Sequence, residues 1–437
     1  MIKEFSWIVL GQIFSILGAL VGIRVLTGLL IPAEYGKLAL GMSVTTFIAV
    51  STIGPLTGGV VRYFAPARQE GKLGSYFKAV KELTSRLSLG IIIISLVGLI
   101  SILISGKSEY FVFVLGAIAF ALLENYQNMI NAIQNAARQR SIVAFHNVIS
   151  TWFKFIIASG FIILIWNSSV IAIWGYAISM LLVIFSQLYY LNKLVLRKND
   201  LKIINKKEVA DYKSKIFSQS WPVAIWGILS SIYVILDKWS LELFSTTTIV
   251  GVYSALFQLG SFPIRLFVNL FTSLIVPIYY EKAGNASENK KLLNVYHIIE
   301  SSTYIAAILF LVLIIFIYLF QENLIFYFLG NRNTYLANSY ILPWITLSAV
   351  MTNLSSIICF AFRISNNIKI MLKPFAITTL IGIISVIIGA NIAGLKGVVV
   401  AINIESLIKL LWTIKVFKKD YANLIYKDYQ LNKQAYT

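Results

Sequence analysis

Residues 142–165 read IVAFHNVISTWFKFIIASGFIILI. Coiled as an α-helix, a run of this length rises about 36 Å, enough to cross ~30 Å of hydrocarbon. Its one formal charge, Lys154, lies near the middle, with Phe155, Ile156 and Ile157 directly after it. Runs of the same kind recur along the chain, which is 58% hydrophobic over 437 residues with a mean hydropathy of +0.80. Soluble domains are about 45–50% apolar. The fold class is therefore an all-α polytopic membrane protein.

About twelve spans are predicted, near 6–27, 38–60, 87–105, 110–131, 142–165, 170–190, 220–243, 250–277, 298–320, 338–362, 374–394 and 396–417. The second is interrupted by Gly54-Pro55 and Gly58-Gly59, and the eighth is expected to bend at Pro263. The N-terminus imitates a signal peptide, but its apolar run passes Arg24 without a small-residue cleavage site and reads as an uncleaved first helix. The segment near 321–337 is partly apolar and reads as a re-entrant or interfacial piece.

Lys and Arg sort by loop. One side holds Lys3, the group from Arg62 to Arg86, Arg138 and Arg140, the stretch Lys193 to Lys215, Lys282 to Lys291, Arg363 to Lys373, and the tail from Lys415. The other side holds little beyond Lys37, Lys107, Arg332 and Lys396. Positive residues mark the cytoplasmic side, so both termini are expected there. The same sorting explains the formal net charge of +19 as a topology signal with attraction to anionic lipids, and excludes nucleic acid as the partner. The sole cysteine, Cys359, allows no intramolecular disulfide, and His146 and His297 lack the company a metal site needs. No cofactor is expected.

The basic stretch 196–218 divides the chain into two predicted bundles, 1–195 and 219–437, of six helices each. They look related. Glu34-Tyr35-Gly36-Lys37-Leu38-Ala39-Leu40 follows the first span, and Val250-Gly251-Val252-Tyr253-Ser254-Ala255-Leu256 follows the seventh. An even number of spans per half makes these parallel repeats around a central cavity, a common transporter plan.

Four cations interrupt apolar stretches: Arg24, Lys154, Arg265 and Lys409. A charge at mid-bilayer costs roughly 2.5–3.5 kcal/mol on the lenient scale and usually faces a bundle interior or a wet cavity. All four are candidate substrate-binding residues, and they point to an anionic cargo. Against them stand three acids, Glu124, Asp237 and Glu405. Glu124 is a candidate partner of Lys154, the two forming a gate or proton-coupling pair. Asp237 and Lys238 are adjacent and should point about 100° apart on a helix. Asp237 is then free to pair with Arg24 and close the outer side; Asp237, Lys238 and Glu124 are the gating or ion-coupling candidates. Lys409 has Glu405 one turn earlier, a favourable helix pair.

The chain resembles the Wzx-type O-antigen flippases of the multidrug/oligosaccharidyl-lipid/polysaccharide exporter superfamily. The resemblance is carried by Arg24-Val25-Leu26 followed by Pro32-Ala33-Glu34-Tyr35-Gly36, by Asp237-Lys238 followed by Val250-Gly251-Val252-Tyr253, and by Leu329-Gly330 with Tyr335-Leu336-Ala337. Lys238 departs from the arginine expected after the aspartate and lacks the planar fork for bidentate phosphate contacts. The resemblance implies a flippase that turns undecaprenyl-diphosphate-linked oligosaccharide, an O-antigen or capsule repeat unit, from inner to outer leaflet by alternating access through a V-shaped cavity. It also implies a bacterial cytoplasmic (inner) membrane location and work beside polysaccharide polymerase machinery. Flippases of the lipid-linked cell-wall precursor carry cavity arginines on helices one and eight, the helices of Arg24 and Arg265. No ATP-binding loop is seen, so energy is expected from an ion gradient, H+ or Na+, or from downstream consumption of the cargo. An exporter of drugs or metabolites from the same superfamily is the alternative, although pumps for organic cations should have acidic cavities. A membrane-embedded polymerase would carry a large outer loop, which this chain lacks, and a scaffold would leave the buried charges unexplained.

Overall fold

The computed structural model describes residues 2–194, 204–283, 289–330, 332–365 and 367–435. Every regular element in it is helical: α1 (Ile2–Leu29), α2 (Pro32–Ile48), α3 (Gly54–Gln69), α4 (Leu73–Ile104), α5 (Phe111–Ala136), α6 (Arg140–Leu164), α7 (Ser169–Leu194), α8 (Lys206–Phe244), α9 (Thr247–Ala283), α10 (Asn289–Leu329), α11 (Asn333–Leu336), α12 (Leu342–Ile364) and α13 (Leu372–Ala435). Ten helical stretches among the described residues are long and apolar enough to cross a membrane.

Ten differs from the expected twelve at two places. The spans at 374–394 and 396–417 fall within the single assigned helix α13, but Ala393 and Gly394 leave helical geometry inside it. Gly394 has φ 53 and ψ −127, the first corner of a II′ turn, which glycine occupies without penalty. A Cβ on Gly389 would sit 2.5 Å from the Gly397 carbonyl oxygen. Residues eight apart in a continuous helix are about 12 Å apart, so the chain has turned back on itself. The second difference is 220–243, which lies within α8 and includes positions whose side chains are outside the described residues.

Other boundaries move as well. The second span is not broken at Gly54-Pro55: α2 passes through a π-helical turn, Ala49–Ile53, directly into α3. Proline sits within the first turn of α3, where its missing N–H is tolerated. Of the basic linker 196–218, residues 196–203 lie outside the described residues, and the rest from Lys206 already belongs to α8. The 321–337 segment is largely helical: it continues α10 past a kink at Phe320 to Leu329, and α11 follows. α9 is assigned as one helix through Pro263.

The chain forms two compact units, Met1–Trp239 and Ser240–Thr437. In the first, α1 lies along α6 with glycines at the contact. A Cβ on Gly11 would come 2.9 Å from Ala144 Cβ, one on Gly18 would come 2.9 Å from the Trp152 ring nitrogen, and one on Gly22 would overlap the Phe155 ring. Trp152 Nε1 also donates to the Phe14 carbonyl at 3.0 Å. Small residues bring backbones together where lipid offers no hydrophobic drive for association. The first part of α8 is tied to this unit by Arg62 to Gln219 (2.8 Å), Ser75 to Glu208 (2.8 Å) and Lys213 to Glu82 (2.6 Å). In the second unit, α12 is the central helix, with buried side chains on most of its length. Around it pack Phe271 and Tyr279 of α9, Tyr296 and Phe310 of α10, and Phe417 of α13.

The paired repeat segments open the second helix of each half. Tyr35 and Leu38 in α2 are buried, as are Val250, Tyr253 and Leu256 in α9. Glu34 accepts from both the backbone N–H and the hydroxyl of Ser169 at 2.7 Å, capping the start of α7, and takes Lys37 at 2.8 Å.

Candidate functional site

The four intramembrane cations separate by environment. Lys154, on α6, is half-buried, and its ammonium sits among three rings: Tyr176 of α7 at 5.4 Å, and Phe120 of α5 and Phe155 of α6 at 5.7 Å each. Phe120 and Tyr176 are themselves buried and in contact, with ring centroids 5.5 Å apart. Ring faces attract a cation, more strongly as water is removed. Arg24 on α1 and Arg265 on α9 are exposed on their helices. Among the described residues, Arg24, Lys154 and Arg265 form no ion pair.

Lys409 differs. Its ammonium is 3.7 Å from Glu405, whose side chain is 1% exposed, and lies 5.3 Å from the Phe375 ring. Around the pair, α12 and α13 exchange hydroxyl bonds, Thr352 with Ser406 at 3.1 Å and Ser355 with Thr413 at 2.8 Å. The i, i+4 pair expected from the sequence is present.

Two expected pairs are not formed. Asp237 is not joined to Arg24. Its Oδ1 accepts from the Lys238 backbone N–H at 2.7 Å and from Lys238 Nζ at 3.3 Å. The 100° separation on the helix is overcome because the long lysine stem folds back over its neighbour. Nor does Glu124 pair with Lys154, whose ammonium reaches the aromatic rings instead.

Glu124 and Lys154 nevertheless occupy one level of a polar ladder that the sequence reading missed. Asn131 of α5 donates to Asn147 of α6 at 3.0 Å, and Ser150 of α6 donates to Gln127 of α5 at 3.1 Å. These helices run antiparallel. One further step on each brings Glu124 opposite Lys154. From α7, Gln187 adds bonds to Asn131 at 2.6 Å and Gln134 at 2.8 Å. Buried side-chain atoms of Gln127, Gln134 and Gln187 remain without partners, so the ladder has spare hydrogen-bonding capacity. The signal was present in the sequence as polar residues at 124, 127, 131 and 134, one stripe of an otherwise apolar helix. Nearby, His146 is held locally. Its Nδ1 lies 2.9 Å from the Ile142 carbonyl and must donate, which leaves Nε2 to accept from Ser186 at 3.3 Å.

Among the described residues no cluster of His, Cys, Asp and Glu could hold a metal ion. The site offers charge, aromatic faces and amides. Such groups can bind and release an anion.

The fold is similar to that of solved membrane transporters. A multidrug resistance MATE family transporter in an inward-facing conformation superposes with a TM-score of 0.74 at 15% identity, over 94% of this chain and 96% of that one. The lipid II flippase MurJ, in an inward closed conformation, gives 0.73 at 16% identity, over 96% and 89%. A MOP superfamily transporter from Pyrococcus furiosus, described as having a binding pocket of reverse polarity, gives 0.65 at 16% identity, over 95% and 96%. The family model for polysaccharide biosynthesis proteins matches residues 1–281, and the chain belongs to that family. Comparison with curated protein sequences gave no match. The chain is thus a polysaccharide biosynthesis family protein with the fold seen in solved transporters and a flippase.

Proposed function

We propose that the protein flips an undecaprenyl-diphosphate-linked oligosaccharide, an O-antigen or capsule repeat unit, from the inner to the outer leaflet of a bacterial cytoplasmic membrane by alternating access. The observation that carries this reading is an imbalance of sign. Asp237 and Glu405 each have a lysine at hand, at 3.3 and 3.7 Å, whereas among the described residues Arg24, Lys154 and Arg265 form no ion pair and outnumber the one of the three candidate acids likewise left without one, Glu124. What is left over in the membrane-crossing helices is positive. A diphosphate supplies the missing negative charge, and arginine's planar fork suits it. An exporter of organic cations would need the opposite surplus.

In this reading Arg265, Lys154 and Arg24 bind the diphosphate and acidic sugars, and Lys409, held by Glu405, contributes least. Glu124, opposite Lys154, is the coupling group for H+ or Na+, and Asp237 with Lys238 forms part of the gate. Twelve helices in two six-helix bundles, 1–195 and 219–437, joined by the basic stretch 196–218, put both termini in the cytoplasm, next to anionic lipids. The polysaccharide polymerase machinery would take the product.

Deleting the gene in a strain without a redundant flippase tests the proposal. Lipid-linked precursor should accumulate in the inner leaflet and surface glycan should disappear. Persisting surface glycan without accumulation refutes it. Arg265→Ala at wild-type protein level should reproduce the defect; normal export by that variant removes Arg265 from the site.

A further inference from the structure

We propose that the first unit holds a binding slot for an anionic glycerophospholipid of the cytoplasmic leaflet, between the π-helical turn 49–53, α4 and the first half of α8. A cavity of about 590 Å³ opens there. Arg86 and Lys213 line it at one end, and Phe217, Trp221, Ile225 and Ile228 continue it along α8. From Lys213 to Ile228 a helix rises about 22 Å, against ~15 Å of hydrocarbon in one leaflet. The slot therefore runs from charge to pure hydrocarbon over the depth of one lipid chain, and the loop charges place its charged end on the cytoplasmic side.

The two cations are not equivalent. Lys213 is held by Glu82 at 2.6 Å. Arg86 is exposed and, among the described residues, forms no ion pair. Its guanidinium is the group left to grip a phosphate, bidentately and with permanent charge. Ser51 and Thr52 donate their hydroxyls to the carbonyls of Phe47 and Ile48, at 2.6 and 2.5 Å, and so give the phosphate no donors. The wall they sit on is the π-helical turn, a rare geometry found mostly at functional positions. It is pinned from the other side, because a Cβ on Gly227 of α8 would overlap the Val50 carbonyl oxygen. The slot's volume is that of a pocket for one small ligand, a headgroup and one chain, too small to enclose a long polyprenyl tail.

Brominated lipid quenching reads the slot directly. The full-length protein is placed in phosphatidylcholine nanodiscs, and the fluorescence of Trp221 is taken as the difference between wild type and Trp221→Phe. Phosphatidylglycerol with brominated chains should quench at about one-tenth the mole fraction that brominated phosphatidylcholine needs. Arg86→Gln should bring the two curves together without lowering the melting temperature, because Arg86 is exposed and, among the described residues, forms no ion pair. A second reporter, Ile225→Trp in the Trp221→Phe background, should respond best to bromines placed deeper in the chain. Equal quenching by both lipids in the wild type overturns the proposal, as does a preference that survives Arg86→Gln. Displacement of the brominated lipid by equimolar undecaprenyl phosphate would assign the slot to the polyprenyl carrier, and displacement by inorganic phosphate would assign it to a free anion. Either result also overturns it.

Discussion

Replacing Lys154 by Met removes the ammonium and keeps an unbranched apolar stem of similar length. Holding that charge at mid-membrane costs roughly 2.5–3.5 kcal/mol. The three rings at 5.4, 5.7 and 5.7 Å offset it. At a half-buried position each contributes about 0.5–1 kcal/mol, so together they recover about 1.5–3 kcal/mol. The terms nearly cancel, and Lys154→Met should change stability by about 1 kcal/mol or less, a shift of a few degrees in Tm. Transport should respond differently. A charge-assisted hydrogen bond to a phosphate is worth about 1.5–3 kcal/mol, so flipping should slow by about ten- to a hundredfold. Lys154→Arg should stay much closer to wild type. The assay is a pair of measurements on the same preparation: thermal unfolding, and the rate at which lipid-linked oligosaccharide in proteoliposomes becomes accessible to an added glycosidase. A Tm loss above about 10 °C with flipping per folded molecule unchanged would refute the reasoning, because the ammonium would then hold the rings together and not the cargo.

Glu124→Gln should slow flipping driven by an imposed H+ or Na+ gradient while leaving the ladder bonds at Gln127 and Asn131 in place. An unchanged response to the gradient would remove Glu124 from coupling. Glu405→Ala should destabilise the second unit by about 2 kcal/mol, below the 3–5 kcal/mol of a fully buried pair because Lys409 keeps some exposure. The double variant Glu405→Leu with Lys409→Leu should recover most of that in a thermal melt. Gly394→Ala should cost about 1–3 kcal/mol at the turn, and a Tm equal to wild type would contradict the backbone geometry there.

The parts of this molecule written in apolar runs were readable from the chain. The break in α13 was expected between 394 and 396 because Gly394 and Lys396 interrupt the run, and the turn falls at Ala393-Gly394. The i, i+4 pair of Glu405 and Lys409 was equally visible, since helix periodicity alone sets it. Pairings that depend on a flexible stem or on a second helix were not. Lys238 reaches back to Asp237 through rotamers that helix geometry does not fix. The level shared by Glu124 and Lys154 depends on the register of α5 against α6, which only the bonds at Asn131 and Gln127 reveal. The slot at Arg86 combines α4 with α8, whose start the basic composition had disguised as a loop.

The seam between α1 and α6 bears on how the protein is made. Trp152 donates to the carbonyl of Phe14 across 138 residues of chain. On a ribosome adding about 5–20 residues per second, α1 emerges many seconds before the face it fits. For that interval Gly11, Gly18 and Gly22 present a notched, unfilled surface, with Arg24 two residues beyond it. The first crossing is thus written early and secured late. During synthesis it must be sheltered by the insertion machinery or by transient partners, and variants at Gly22 should show as failures of biogenesis, degraded before assembly, more than as losses of activity in the finished molecule.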